Sequence, residues 1–155
     1  LRPGEHPSAQ YRGPARASAI PVPAELVNPH PVVDRLRDQP ELLPAFIENR
    51  SRTLMSGQAL ADAASAKGNT VASGDHDTLI VVVIDGQRHE IRIVEETGKR
   101  WTLRLVLEIR GAGQGPSRWV DHVQRRIEDD LSEVLAEMER RAVSVRAERD
   151  AHPAR

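Results

Sequence analysis

The stretch from Thr78 to Arg110 constrains this chain most. It holds three β-rich runs, TLIVVVID, RHEIRIVE and WTLRLVLEIR, separated by two short turn-forming segments. Asp85-Gly86 between the first two runs is a strong two-residue hairpin signal, because a type I′ turn needs positive φ at both central residues. Pairing across that turn sets Val82 opposite His89, Ile80 opposite Ile91 and Thr78 opposite Ile93. One face then collects Ile80, Val82, Ile84, Ile91 and Ile93. The other sets Leu79, Val81 and Val83 against Arg92, Glu90 and Arg88, apolar on one strand and charged on the next.

Parity decides the second turn. An even loop turns the apolar residues of the third run to the wrong face, so an odd loop is required. A three-residue loop, Glu96-Thr97-Gly98 with Gly98 left-handed, pairs Ile93 with Trp101, Ile91 with Leu103 and His89 with Leu105. Trp101, Leu103, Leu105, Leu107 and Ile109 extend the buried face, while Thr102, Arg104, Glu108 and Arg110 point away.

Around this meander the helical signals are local. Residues 1–30 are rich in Pro, Ala and Arg without apolar periodicity and are expected as a disordered or extended linker; residues 31–150 form the α+β module. Pro31 suits the first turn of a short helix, PVVDRLRD, with Val32, Val33 and Leu36 on its apolar side. Pro40 starts a second short turn carrying Leu42, Leu43, Phe46 and Ile47. A longer helix from about Arg50 to Lys67 places Leu54, Met55, Ala59, Leu60, Ala63 and Ala64 on one side, and Gly68-Asn69 supplies its left-handed C-cap.

Ser117 is a good N-cap for a helix over 118–150. Its stripe runs Val120, Val123, Ile127, Leu131, Val134, Met138, Ala142 and Val145, an eleven-residue repeat that favours a straight or slightly right-handed seam. At 1.5 Å per residue such a helix is roughly 50 Å long and outreaches a three-stranded sheet. Its second half projects, with Leu131, Val134 and Met138 as candidate contacts for a partner helix.

Composition narrows the function classes. The 155-residue chain has a formal net charge of −1 and no cysteine, so a strong pull toward nucleic acid, a disulfide framework and a thiolate metal site are all excluded. No apolar run reaches membrane-spanning length and no signal peptide is visible, so the cytoplasm is the expected compartment. Lysine occurs only at Lys67 and Lys99 among many arginines, a bias that suggests a GC-rich bacterial genome. The start at Leu1 suggests a piece of a longer protein.

Catalytic signals are sparse. Asp75-His76-Asp77 fits a polar turn entering a strand better than a metal site, and Gly111-Ala112-Gly113-Gln114-Gly115 fits a hinge as well as a phosphate loop. His89 fits a partly buried cross-strand residue. No nucleophile elbow or Walker loop is present. The order helix, meander, helix is shared with restriction-type nucleases, in which an acid on the second strand and Glu-x-Lys on the third hold a divalent metal such as Mg²⁺. The matching positions here are Glu90, Glu108 and Arg110, with Glu in place of the usual Asp and Arg in place of Lys, a poor proton-transfer group. Outward-facing Glu and Arg on a sheet are ordinarily solvated pairs.

The blocks His30-Pro31-Val32-Val33, Arg52-Thr53-Leu54, Ala59-Leu60, Lys67-Gly68, Ile93-Val94-Glu95-Glu96, Trp119-Val120-Asp121 and Ile127-Glu128-Asp129-Asp130-Leu131 together resemble the C-terminal module of an uncharacterised family of bacterial proteins from GC-rich genomes. The N-terminal part of that family looks like a helix-turn-helix. The resemblance covers most of residues 28–150 and implies a DNA-associated setting, with the DNA contact on residues outside this chain; no activity comes with it.

The expected fold is α+β: a three-stranded antiparallel β-meander packed against helices, followed by a long C-terminal helix. The leading functional expectation is a non-catalytic interaction or oligomerisation module of a bacterial DNA-associated protein, binding itself or another protein through Leu131, Val134 and Met138, without cofactor or metal. The alternatives are a Mg²⁺-dependent nuclease using Glu90, Glu108 and Arg110, and a peptide or small-ligand binder using an exposed Leu79, Val81 and Val83 face.

Overall fold

In a computed structural model, described for residues 19–39, 41, 47–75, 77–97, 103–111 and 115–152, the chain is an α+β unit. Its order is α1 (Pro31–Asp38), α2 (Ile47–Ala66), β1 (Thr70–Ala72), β2 (Ile80–Ile84), β3 (Gln87–Thr97), β4 (Leu103–Ile109), β5 (Arg118–Val120), a 3-10 turn (Ile127–Asp130) and α3 (Leu131–Ala151). The five strands form one antiparallel sheet in sequence order. All three helices pack on the same face, where Val33, Leu60, Ile80, Val82, Ile91, Ile93, Leu105, Leu107, Leu131, Val134 and Met138 share one core. Among the described residues no helix is long and apolar enough to cross a membrane.

The first hairpin matches its sequence pattern. Asp85 has φ 52° and Gly86 φ 78°, the positive pair a type I′ turn requires, and Ile80 faces Ile91 and Val82 faces His89. Thr78 does not extend the ladder to Ile93. Instead the Leu79 N–H donates to the Ile91 carbonyl at 2.7 Å, so Leu79 and Ile80 both face one residue of β3. A bulge of that kind breaks the alternation, which turns Leu79 to the helix-covered side; its methyls come within van der Waals range of the Gly57 position on α2.

The expectation of three strands is corrected to five. β1 adds Thr70↔Val83 and Ala72↔Val81 at one edge, and β5 adds Val106↔Val120 and Leu107↔Trp119 at the other. Both added strands are three residues long, too short to stand out as alternating runs.

The expected register of the second hairpin is also corrected. Ile93 pairs with Leu107 and Thr97 with Leu103, so residues 98–102 connect the strands and β3 runs on through Glu96 and Thr97. The loop is odd, as parity required, but longer, and the strands slide by six residues. An even slide keeps every side chain on its face: Leu105, Leu107 and Ile109 are buried as expected. Trp101, Thr102 and Gly98 lie outside the described residues, as do Leu42, Leu43 and Phe46 of the expected second turn.

Helix ends follow local chemistry. His30 Nδ1 accepts from Val32 N–H at the start of α1. At the end of α2 the N–H of Gly68 (φ 84°) bonds the Ser65 carbonyl and that of Asn69 the Ala64 carbonyl, a Schellman closure at the expected residues. Of the expected linker, residues 19–30 form no helix or strand, and Ile20, Val22 and Leu26 pack against the core.

The helix expected over 118–150 begins at Leu131. Residues Arg118–Val120 are strand β5, with Trp119 buried beside Leu107. Ser117 caps no helix; its Oγ bonds the Arg141 guanidinium at 2.8 Å. Helical periodicity holds only from Ile127 onward, and Val123, inside the expected stripe, is fully exposed. With 21 residues, α3 spans about 31 Å, and only residues beyond Ala142 are continuously exposed.

Candidate functional site

The stripe on α3 serves the core. Leu131 is 1% exposed and Val134 and Met138 0%, so the three residues expected to meet a partner are used within the chain. What the helix presents outward is its last part, where Val143 is 60% and Val145 39% exposed.

The second face of the sheet has a different character. Among the described residues no helix lies over it. Val81 is buried there all the same, because the β1–β2 connection folds back: Thr78 N–H bonds the Asp75 carbonyl at 3.0 Å, and the Gly74 position lies 3.1 Å from Val81 Cγ2. Of Leu79, Val81 and Val83, only Val83 is partly open on this face. The bulge and the returning connection withdraw the other two, which corrects the expected exposed strip.

Farther along, Val94, Val106 and Val120 align in register across β3, β4 and β5, a row that strand-by-strand reading does not reveal. Charged rows flank it. Arg92 Nε donates to Glu108 at 2.9 Å, and Glu96 pairs with both Arg104 and Arg118.

Glu90 and Glu108 do share this face, as the nuclease alternative needs. Glu108 is taken up by Arg92, and Glu90 accepts from Thr78 Oγ1 at 3.4 Å. Arg110 follows β4 in an irregular segment, its N–H bonded to the Glu90 carbonyl and its side chain exposed. Among the described residues no three His, Asp or Glu side chains are grouped to hold a metal ion. Glu108 is already ion-paired with Arg92, and Arg110 lies just past the end of β4.

Two ionic clusters were not foreseen. Arg52, on α2, donates to Asp121 from Nη1 and Nη2 at 2.8 and 2.9 Å, and to Glu128 from Nε and Nη2 at 2.7 and 2.5 Å. Asp121 also accepts the N–H of Leu105 at 2.9 Å and of Ile127 at 3.0 Å. Burial pushes the Asp121 carboxyl up, but the bonds from Arg52 and the two amides outweigh it and hold it below the ordinary carboxylate range. Glu128 and Asp121 in turn raise the Arg52 guanidinium. Arg52 meets Asp121 and Glu128 across 69 and 76 positions of sequence, and nothing in their spacing announces it.

The second cluster joins α3 to the β4–β5 connection. Arg141 donates to Glu137 at 2.7 Å, to the Pro116 carbonyl at 3.1 Å and to Ser117. Arg140 closes on the same Glu137. Burial pushes Glu137 up, and hydrogen bonds from Arg140 and Arg141 bring it below its usual value. His89 on β3 is buried with Nε2 lacking a hydrogen bond. Its pKa is lowered by burial first and then by the Arg141 charge. The expected partly buried cross-strand histidine is thus a buried one whose charged form is disfavoured.

A recess of about 260 Å³ lies between α1 and the β1–β2 connection, lined by Val32, Arg35, Leu36, Ser73, Gly74, Asp75, Thr78 and Leu79. Asp75 stands on its wall. His76 lies outside the described residues. No family model, curated protein or solved structure matches this chain.

Proposed function

We propose that the chain is a non-catalytic oligomerisation module whose partner is a second copy of itself, joined through the open face of the sheet. The observation that carries this reading is the Val94–Val106–Val120 row across three adjacent strands, in which Val106 is buried and Val94 and Val120 are partly exposed, with charged rows on both sides and no described helix above it. The partly exposed Val94 and Val120 supply the apolar centre, and the flanking charges the polar rim, of a protein contact.

Charge selects the partner. The face carries Arg88, Arg92, Arg104 and Arg118 beside Glu90, Glu96 and Glu108, close to balance, and the whole chain is at −1. A nucleic acid asks for a one-signed basic surface. A two-fold copy brings the same mixed rows to face each other, so arginines meet glutamates from the other chain. The bacterial, DNA-associated setting implied by the resemblance stands behind this reading only as the context in which such a module pairs neighbouring regions.

The test is the solution mass of the chain across a concentration series by light scattering. A dimer is expected, and Val94→Arg with Val120→Arg reduces it to monomer while the circular dichroism spectrum stays unchanged. A strict monomer at all concentrations overturns the reading. The exposed Val143 and Val145 favour a second reading, assembly through the end of α3. In that case Val143→Asp with Val145→Asp breaks the dimer and the sheet variants do not.

A further inference from the structure

Apart from the open face, the recess between α1 and the β1–β2 connection combines features that core packing does not require. Its floor is aliphatic, made by Val32, Leu36 and Leu79, all nearly buried. Its wall includes Ser73 and Thr78. At its rim stand Arg35 and Asp75, both exposed. Asp34, Arg37 and Asp38 on the same helix pair with one another, whereas neither the Arg35 nor the Asp75 side chain has a hydrogen-bond or ionic partner among the described residues. Two opposite charges thus line one recess without pairing with each other.

The wall is built closely. A Cβ at Gly74 would lie 2.4 Å from Thr78 Cγ2 and 2.6 Å from Thr78 Cβ, so the connection returns on itself with no room for a side chain there. The Thr78 N–H to Asp75 carbonyl bond closes that return and fixes the backbone from which Asp75 projects. The site is therefore largely preformed, which lowers the ordering cost of binding.

We propose that this recess binds a free aliphatic α-amino acid, with its carboxylate on Arg35, its ammonium on Asp75 and its side chain on the Val32, Leu36 and Leu79 floor. Guanidinium suits a carboxylate by its planar donor fork, and a carboxylate suits an ammonium. Size agrees, since a recess of about 260 Å³ lies just below the usual range for drug-sized ligands, about 300–1,000 Å³. This inference goes beyond the self-association reading and is independent of it.

The experiment is an amide chemical-shift titration of the whole chain with L-leucine. Saturable shifts are expected at Val32–Leu36 and Ser73–Leu79, with the remaining resonances unmoved. Arg35→Gln and Asp75→Asn, both at exposed positions, each weaken binding by at least about ten-fold. The single-charge analogues 4-methylpentanoate and 3-methylbutylamine bind weaker by at least the same factor. Absence of saturable shifts overturns the proposal. So does an analogue that matches leucine, or binding unchanged in both variants.

Discussion

Arg52 ties three separated segments with one side chain. Its guanidinium spans Asp121 and Glu128, and Asp121 passes the connection to the β4 backbone and the start of the 3-10 turn. Removing one member of such a set leaves charge with reduced solvation and no counterpart. Arg52→Ala is therefore expected to cost about 3 kcal/mol, read as a lower urea midpoint at pH 7. His89 gives a prediction of opposite sign in pH to a salt-bridged histidine. Unfolded, its imidazole titrates near 6.5; folded, it titrates lower. Between those values the unfolded chain binds a proton that the folded chain refuses, so stability falls as pH drops below about 6.5. Replacement by Leu is expected to flatten that dependence between pH 7.5 and 5.5 in denaturant melts. The sequence showed His89 on the inward face, but the Arg141 charge that reinforces its shift arrives from a helix 52 positions later in the numbering.

Among the elements, the first hairpin was legible because its determinants are adjacent. Asp85-Gly86 fixes the turn, and the turn fixes the register that Ile80 and Ile91 display. Gly86→Ala places a Cβ at φ 78°, where nothing crowds it but the backbone itself disfavours it. A loss of about 1 kcal/mol is expected, visible as a reduced melting temperature with the same spectrum. The second hairpin shows the limit of such reasoning. Parity put Leu105, Leu107 and Ile109 on the correct face without setting how far β3 runs. Strand β5 was hidden for a related reason: Val120 and Ile127 happen to keep a helical period, although Trp119 pairs with Leu107 and Asp121 ends the strand by bonding Leu105. A period in the sequence does not record where the chain leaves one element for another.

At the scale of the molecule, helices cover one side of the five-stranded sheet, and among the described residues no helix lies over the other. The self-association proposed for that face would make stability depend on concentration, because anything that binds only the folded chain raises its apparent melting temperature. A melting temperature that climbs with chain concentration, and ceases to climb in the Val94→Arg, Val120→Arg variant, is the expected outcome. The alternation of the strands, the Asp-Gly turn, the Gly68-Asn69 helix stop and the inward faces of α1 and α2 were determined by the sequence itself, since each depends on backbone preferences and side-chain periods over a few neighbouring residues. Three things were left to the tertiary structure. They are the two edge strands, the use of Leu131, Val134 and Met138 as core, and the meeting of Arg52, Asp121 and Glu128. Each depends on which distant segments come together, and a local pattern carries no record of that distance.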